Sequence, residues 1–545
     1  MEFSTNSFEM SEFDVVIIGA GHNGLTLGAY LSKAGLRVLL IDRRHEIGGG
    51  LCTEEVTVPG FRHNLHSIYH MMTDVAPIFK DLNLATYGVS YVFPPTKAAL
   101  PLTDGRCLML HDDVERTCGS IAKFSEKDAD SYRTLSRKFE EYMNEIIIPA
   151  TYVPPSPPLD LSVRLSEHEL GREFLDISEK SALQIVNESF EDEHVKTLML
   201  YLACCWGLGY DEDGLGFMAI LYMNRATRYS LCVGGSHRLS SALSKIILRG
   251  GGLIQENEEV SRIVVKDGAA TGVELKSGEQ IASKAVASSI DAPQTFLQLV
   301  GEDHFEADLA SRLKQWKWEE TSLFAVHVAL REAAKYDAAK FDPAANEAMM
   351  CILGYNGFDD LLSHWRRVYD GKADAAGGNC ICPTLYDPSQ APSGGHTGLF
   401  ETHAPYRLGD GGPAAWDKLR QGFMDECLAK WSEYAPNMKG KNILGKYAYT
   451  PLDIERKLTD MVEGSIKQGA YTPLQMGYFR PDESCSQYAT PIKRLYLCGS
   501  SVYPGGMITA APGYNAAAVI AQDLGISPWW SPPDYVQRAR QKNLI

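Results

Sequence analysis

Asp14-Val-Val-Ile-Ile-Gly19-Ala-Gly21-His-Asn-Gly24 is the stretch that decides the fold of this chain. It begins with an apolar, β-branched run from Val15 to Ile18, which is typical of a buried parallel strand. The glycines that follow have the spacing G-x-G-x-x-G. Gly19 permits a tight turn, Gly21 leaves room for a pyrophosphate, and Gly24 lets a helix pack closely against the strand. The stretch therefore predicts a phosphate-binding turn between a strand and a helix.

The residues after the glycines complete a dinucleotide-binding unit. A helix is predicted from Asn23 to Lys33, with its N-terminal N–H groups facing the phosphates and Gly35 as its stop. A second strand, Arg37 to Ile41, ends in Asp42, whose carboxylate can accept hydrogen bonds from a ribose. The alternative is an ordinary glycine-rich turn, which would not require a strand before it and a helix, a second strand and an acidic residue after it. Asp42 favours an unphosphorylated ribose, hence FAD or NAD over NADP.

Length, composition and net charge disfavour several classes of protein. The chain has 545 residues, of which 45% are hydrophobic, as in a globular protein. Its net charge of -17 argues against a nucleic-acid partner. No run of about 20 apolar residues is present, and the N-terminus lacks the features of a secretory signal or transit peptide. We therefore expect a cytoplasmic protein without a transmembrane helix.

The twelve cysteines are scattered without zinc-binding or disulfide spacing, which favours a reducing compartment. Cys204-Cys205 and Cys380-x-Cys382 are the close pairs. A redox-active Cys380/Cys382 pair is the alternative that this spacing leaves open.

Further along, the pattern alternates between helical and strand-like segments. Residues 121–148 and 165–202 have apolar residues at helical spacing, and Val153-Pro-Pro-Ser-Pro-Pro158 between them predicts a surface linker. The Gly/Pro-rich stretch Asp374 to Gly398 is a candidate lid, with a plain surface insertion as the favoured alternative. The other predicted elements are a helix between Gly234-Gly235 and Gly252, strands at Leu253–Gln255, Val260–Val265, Gly272–Leu275, Ala285–Ser289 and Arg494–Leu497, a hairpin turn at Asp267-Gly268, and a helix over Ala510–Leu524.

A second motif, Leu495-Tyr-Leu-Cys-Gly499-Ser-Ser-Val-Tyr-Pro504-Gly505-Gly506, resembles the segment that closes over the flavin end of FAD in the amine-oxidase/phytoene-desaturase flavoproteins. Asp42-Arg-Arg-His-Glu-Ile-Gly48-Gly49 is similar to the second half of their extended FAD motif. The chain most resembles the phytoene-desaturase-like branch, which includes the pyridine nucleotide-disulphide oxidoreductase domain-containing proteins. The resemblance spans almost the whole chain and is weak over 140–230 and 330–400.

The resemblance implies an α/β fold, in which a Rossmann-like FAD-binding domain is joined to a second, α+β substrate domain of mixed sheet plus helices. The FAD-binding domain would combine residues 12–75, 230–300 and 485–528, and the substrate domain residues 76–229 and 301–484, with tails at 1–11 and 529–545. The resemblance also implies FAD as the cofactor, with Gly19, Gly21 and Gly24 at the pyrophosphate, Asp42 at the ribose, Arg43, Gly48 and Gly49 along the phosphate and ribityl side, Val260 at the adenine end, and Gly499, Gly506 and the helix start from Ala510 to Asn515 near the flavin ring.

One position departs from the family. Many relatives have a Thr-His-Pro-Gly-like sequence before the double glycine, whereas this chain has Ser501-Val-Tyr503-Pro504. Tyr503 stands where a histidine would lie near the flavin, which puts the acid/base role of that position in doubt and leaves Tyr503 a catalytic candidate. Because no second G-x-G-x-x-G follows a strand, a nicotinamide domain is not expected. Electrons should then leave to oxygen, a quinone or another acceptor.

The proton-handling candidates are histidines after Gly60-Phe61, a segment that in relatives passes near the isoalloxazine. A histidine can act as a base near neutral pH. His66 is the first candidate and His63 the second, with structural histidines as the alternative. With His70 they lack a carboxylate or cysteine at ligand spacing, so no metal site is expected. Glu401-Thr-His403-Ala-Pro-Tyr406 is interpreted as a satisfied strand-end cluster.

Together, the motifs and the resemblance predict an FAD-dependent oxidoreductase that desaturates or dehydrogenates a C–C bond of an apolar or conjugated small molecule by hydride transfer to flavin N5. Amine or alcohol oxidation and redox-neutral isomerisation on the same scaffold are the alternatives. The intact glycine motif disfavours a prenyl-protein escort factor without FAD. The expected partners are an apolar substrate and an electron acceptor, oxygen or quinone. Peripheral membrane contact and the oligomeric state are left open.

Overall fold

The computed structural model describes residues 13–545, and the tail expected at residues 1–11 lies outside that range. Two seven-stranded sheets and a layer of helices make up most of this range. The strands are β1 (Phe13–Ile18), β2 (Val38–Asp42), β3 (Thr53–Glu54), β4 (His63–Asn64), β5 (Tyr91–Val92), β6 (Thr96–Pro101), β7 (Cys107–His111), β8 (Leu231–Cys232), β9 (Leu253–Glu256), β10 (Val260–Lys266), β11 (Ala269–Leu275), β12 (Gln280–Ser288), β13 (Ser322–Leu330), β14 (Met350–Leu353), β15 (Gly378–Ile381), β16 (His396–Ala404), β17 (Ile443–Tyr449) and β18 (Leu495–Leu497). The α-helices are α1 (His22–Lys33), α2 (Pro77–Asp81), α3 (Val114–Ile121), α4 (Glu126–Tyr142), α5 (Ile148–Thr151), α6 (Pro158–Ser166), α7 (Glu169–Ser178), α8 (Ala182–Ser189), α9 (Glu193–Cys204), α10 (Gly216–Ala226), α11 (His237–Arg249), α12 (Ala292–Gln294), α13 (Ala307–Lys314), α14 (Phe358–Tyr369), α15 (Trp416–Tyr434), α16 (Pro451–Lys457), α17 (Ala511–Asp523) and α18 (Asp534–Gln541).

The first sheet is the dinucleotide-binding sheet. Its parallel strands follow the order β9-β2-β1-β12-β18, and the start of β12 also pairs with β11, which pairs with β10, in an antiparallel meander. All of β1 is buried, as expected for a strand covered on both faces. Helix α1 packs between α11 and α17. The predicted α/β fold with a Rossmann-like unit is therefore confirmed.

The second sheet is mixed and has the order β17-β13-β16-β15-β14-β6-β7, in which β14 and β6 are parallel and the other pairs are antiparallel. Side chains alternate between its two faces. Phe324 points to the face covered by α15, where it packs on Trp416 and Phe423. Leu323 and Ala325 point to the opposite face, toward the first sheet. The sheet agrees with the predicted mixed sheet, and the division into two domains stays a prediction.

The predicted lid at Asp374 to Gly398 is wrong. This stretch contains β15, a buried strand inside the second sheet, and the first residues of β16. Its glycines allow close packing rather than motion, because a Cβ on Gly378 would lie 2.4 Å from the Glu401 carbonyl oxygen. The favoured alternative, a surface insertion, is wrong for the same reason.

Two other expectations differ from the structure. The predicted surface linker at Val153–Pro158 contains the buried Pro155 and lines an apolar chamber. The expected tail at 529–545 contains α18, and Trp529 stacks on Tyr30 at 5.4 Å and donates its Nε1–H to the carbonyl of that residue. Apolar side chains in both segments pack on the body of the protein. The proline content of the first segment and the terminal position of the second do not reveal this packing.

All twelve cysteines are buried free thiols. Burial raises the pKa of the Cys382 thiol to about 11, so the structure does not support a reactive Cys380/Cys382 pair. Along residues 13–545, no helix has both the length and the apolarity needed to cross a membrane.

Candidate active site

The glycine turn at the end of β1 is the most closely packed part of the site. Gly19 has a left-handed φ of +87°, and a Cβ there would lie 2.5 Å from Ser289 Oγ. A Cβ on Gly24 would lie 2.2 Å from the Gly19 carbonyl oxygen. Nothing lies within 4 Å of a Cβ placed on Gly21. The first and third glycines are therefore required by packing, whereas the second faces open space, as the approach of a pyrophosphate requires.

A second glycine turn lies beside the first. The Gly48 N–H donates to the Ala20 carbonyl at 2.8 Å, and Gly48 and Gly49 both have positive φ. Asp42, at the end of β2, accepts the Ala20 N–H at 2.7 Å and the Arg44 N–H at 2.9 Å, one on each carboxylate oxygen. These bonds fix the carboxylate and leave further lone pairs for hydroxyl groups of a ligand.

The two turns form one wall of a groove along the carboxyl ends of the parallel strands. Buried polar atoms in this wall, Nε2 of His22 and Oδ1 of Asn23, have no hydrogen-bond partner within residues 13–545. Buried polar groups are almost always paired, so this pattern indicates a ligand that supplies the missing bonds. The predicted cofactor residues that line the groove are Gly19, Gly21, Asp42, Arg43, Gly49 and Val260.

The remaining predicted cofactor residues pack around the groove. Gly24 and Gly48 bring the turns together, and a Cβ on Gly499 would lie 2.3 Å from the Ser289 carbonyl oxygen. The Gly506 N–H donates to the Tyr471 hydroxyl at 2.8 Å. Ala510, with φ +57°, caps α17, and Asn515 donates to the Thr151 carbonyl and the Tyr488 hydroxyl, away from the groove.

The groove opens into a cavity between the two sheets. Its volume is about 140 Å³, and apolar and aromatic side chains form most of its wall. Tyr69 and Trp206 pack together there with ring centroids 5.4 Å apart, and Trp206 donates its Nε1–H to the Tyr229 hydroxyl at 2.8 Å. The residues that line both the groove and the cavity are His22, Gly50, Met461, Ile466 and Ser500.

A row of side chains from the second sheet forms the floor of this cavity. In the strand register, Ala325 lies opposite Glu401 on one side and Tyr449 on the other, and all three residues line the cavity. Glu401 is 4% exposed, and its Oε2 has no hydrogen-bond partner among the described residues. Burial raises the pKa of Glu401 to about 7, although a hydrogen bond from Asn379 opposes the shift. The site therefore contains a carboxyl that can release or accept a proton near neutral pH.

The predicted catalytic residues lie in different places. His66 lines the cavity edge-on to Tyr449 at 5.0 Å, with its Nε2 buried and unpartnered in the described chain. Burial, together with nearby positive charges, lowers the pKa of His66 to about 3. His63 bonds to Thr57 Oγ1 through Nε2 at 2.7 Å and does not line the cavity. Tyr503 lines a separate chamber.

A buried cation closes one side of the cavity. Lys467 Nζ lies 3.0 Å from Glu319 and donates to the carbonyls of Trp206 and Gly207, each at 3.1 Å. The segment that carries it is held by Arg480, which is fully buried and donates to the carbonyls of Lys467, Gly469, Ala470, Gln475 and Ser500. Within residues 13–545, no three His, Cys, Asp or Glu side chains are grouped as metal ligands.

Comparison with known proteins agrees with this geometry. Residues 17–82 match the NAD(P)-binding Rossmann-like domain family. The chain is 40% identical to one of the subunits of limonene dehydrogenase from Castellaniella defragrans, over 98% of this chain and 100% of that protein. It is 28% identical to the rat pyridine nucleotide-disulfide oxidoreductase domain-containing protein 2, over 94% of each chain. Phytoene desaturases match at lower identity along most of the chain.

The chain belongs to the amine-oxidase/carotenoid-desaturase superfamily. The predicted family is thus confirmed, and the protein is an oxidoreductase of the dehydrogenase and desaturase type. A solved oxidoreductase from Methanosarcina mazei has the same fold at 18% identity, with a TM-score of 0.59 over 93% of this chain and 100% of that one. In this member of the superfamily, the dinucleotide groove and the cavity form one continuous site.

Sequence reasoning missed several residues of this site. The interpretation of Glu401–Tyr406 as a satisfied cluster fits His403, which bonds to the Cys205 carbonyl at 3.0 Å, but not Glu401. The alternation of side chains along β16 could have placed Glu401 on one face of the sheet. It could not have shown that Oε2 of Glu401 has no hydrogen-bond partner among the described residues. Lys467 and Arg480 lie in irregular segments, where no periodic pattern marks a buried charge.

Proposed function

We propose that this protein is an FAD-dependent dehydrogenase that removes hydride and a proton from neighbouring carbons of a compact apolar molecule. One observation supports this most directly. The groove of the dinucleotide-binding turns opens into an apolar, aromatic cavity that contains a buried carboxyl, Glu401, whose Oε2 has no hydrogen-bond partner among the described residues. Such a cavity suits a hydrocarbon skeleton, and the carboxyl suits a proton transfer.

The residues of the groove fit FAD. Gly21 presents open space where a pyrophosphate must approach, and the N-terminus of α1 has free N–H groups beside it. Asp42 would hold the adenosine ribose, and Val260 would flank the adenine. The unpartnered Nε2 of His22, at the junction of groove and cavity, would bond to the cofactor. When bound, FAD supplies the hydride acceptor.

The cavity favours a compact substrate. About 140 Å³ is on the scale of a cavity that holds a benzene-sized molecule, so the cavity by itself suits a ring-sized group. The relative at 40% identity is named for limonene, a compact hydrocarbon. We therefore propose an alicyclic or monoterpene-sized hydrocarbon as the substrate class. Oxygen or a quinone is the proposed acceptor, and a cytoplasmic location with peripheral membrane contact stays a prediction.

Glu401 is the proposed base. Its Oε2 is the atom that would take the proton, since it lies buried in the cavity without a partner among residues 13–545. The loss of hydride from one carbon and of a proton from its neighbour leaves a double bond, which balances the two-electron oxidation. His66 lies in the same cavity, and its lowered pKa keeps the imidazole neutral. A neutral imidazole would contact the substrate and orient it. Tyr69 and Trp206 would hold the skeleton by apolar contact.

Anaerobic mixing tests this proposal. The purified holoprotein should be yellow, and limonene, used as the probe, should bleach its long-wavelength flavin band within seconds to minutes. Benzylamine and NADPH are the comparison reductants and should leave the band unchanged. Rapid bleaching by NADPH or by benzylamine, with none by limonene or related hydrocarbons, would contradict the proposal and favour a reductase or an amine oxidase. A colourless protein that does not take up added FAD would contradict the cofactor.

A further inference from the structure

A second apolar chamber lies next to the cavity. Its volume is about 420 Å³, within the range of small-molecule binding sites. It is formed by α5, α6, α7, α10 and the segment 473–479, and Tyr503 also lines it. The proposed mechanism uses none of these elements. Most of the wall is apolar, as its lining residues Leu161, Leu165, Phe174, Met218, Met476 and Phe479 show.

Neighbouring residues form the wall between the chamber and the cavity, and at Met507 a single side chain separates the two spaces. Met71 lines the cavity and the next residue, Met72, lines the chamber. On α10, Tyr222 lines the cavity and the preceding residue, Leu221, lines the chamber. Met507 lines both spaces, and it is half-buried with φ +71°, in the left-handed region that non-glycine residues rarely occupy. An unbranched methionine side chain can change rotamer and open such a wall without moving the backbone.

The chamber also reaches the protein surface. Four of its lining residues, Pro158, Ser162, Glu179 and Pro473, are exposed. Leu159 and Leu474, their neighbours in the chain, are 75% and 80% exposed. Each leucine therefore adds apolar surface beside an exposed lining residue of the chamber. The opening therefore combines Ser162 and Glu179 with exposed prolines and leucines, and its apolar side suits the entry of an apolar molecule.

We infer that this chamber binds the apolar substrate on its way to the cavity, and that Met507 separates the two positions. The inference rests on the proposed function, because the groove, the other opening of the cavity, is where the cofactor is proposed to lie. A hydrocarbon then needs a second path. The chamber offers one whose wall is mostly apolar between the surface and Met507, so most of the molecule stays out of water along it. The ligand class is that of the proposed substrate, an alicyclic or monoterpene-sized hydrocarbon.

Filling the chamber tests the inference without touching the cavity. Ala150, on α5, is half-buried and lines the chamber, so Ala150→Phe should place a ring inside it. Ser178→Phe adds a ring from α7 as an independent second variant. Val163, on the outer face of α6, is 54% exposed and does not line the chamber. Val163→Phe is therefore the control with the same added ring.

Calorimetric titration of the holoprotein with p-menthane, a saturated ten-carbon hydrocarbon, should give two bound molecules per chain in the parent and the control, and one in either filled variant. In turnover with limonene, the filled variants should lose about tenfold in kcat/KM at unchanged kcat. The inference would be overturned if the parent bound only one molecule of p-menthane per chain. It would also be overturned if both filled variants folded and still bound two. A parent that binds two molecules of p-menthane but shows no flavin bleaching by limonene would instead count against the proposed function.

Discussion

Replacement of Glu401 by Gln should change how stability depends on pH. Burial raises the pKa of this carboxyl from 4.5 to about 7. The folded chain therefore keeps the proton at pH values where the unfolded chain has lost it, and the free energy of unfolding falls as the pH rises through this window. A difference of about 2.5 in pKa corresponds to roughly 3 kcal/mol above pH 8. Glu401→Gln, which has no proton to lose, should not show this decrease.

The measurement is the midpoint of chemical unfolding of the holoprotein at pH 5 and pH 8.5. Between these values the Glu401→Gln variant should gain roughly 2.5 kcal/mol on the parent protein, starting from similar or lower stability at pH 5. Glu279→Gln, at an exposed turn before β12, is the control and should follow the parent. Parallel pH curves for the parent and Glu401→Gln would refute the reasoning that, at this carboxyl, the effect of burial exceeds that of the hydrogen bond from Asn379.

The same substitution tests the proposed catalytic role. Because the base must be deprotonated, activity of the parent should rise with pH through about 7, the pKa of Glu401. Loss of a general base typically costs about 10²–10⁴ in kcat. Glu401→Gln should show such a loss in anaerobic flavin bleaching by limonene, and the residual rate should have no ascending limb near pH 7. A variant within threefold of the parent would rule out Glu401 as the base.

Three further predictions concern other parts of the site. Gly21→Val should fold, as judged by circular dichroism, but lose bound flavin, because its side chain enters open space where the pyrophosphate would lie. Gly24→Val should fail to fold, because its Cβ would lie 2.2 Å from the Gly19 carbonyl oxygen. Equal flavin content in the parent and Gly21→Val would contradict this prediction. Arg480→Met should lower the free energy of unfolding by about 3–5 kcal/mol, since five buried carbonyls lose their donor, and an unchanged unfolding midpoint would refute it. His66→Gln should leave the pH midpoint of activity near 7, because the pKa of His66 is about 3 and the imidazole is neutral throughout the working range; a midpoint that moves with this substitution would assign the proton transfer to His66.

The parts of the site that sequence predicts well are local. The strand, the glycine turn and Asp42 follow one another within about 30 residues, and each glycine has a steric reason that its spacing expresses. The same reasoning failed at Asp374–Gly398, where glycines that allow strands to approach closely have the composition of a mobile loop. It also failed for Glu401, where the residue type and its strand were visible but the number of its hydrogen-bond partners was not.

The sequence alone determined that this protein has a dinucleotide-binding α/β unit, because that unit depends on a short motif whose spacing carries its geometry. The resemblance of the sequence to known flavoproteins gave the family of oxidoreductases. Only the tertiary structure decided which side chains share the cavity. Strand register brings Glu401, Ala325 and Tyr449 into one row, although they lie far apart in the chain. It also decided that Asn515 and Tyr503 face away from this cavity, since packing and hydrogen bonding between distant segments, not residue type, set where a side chain points.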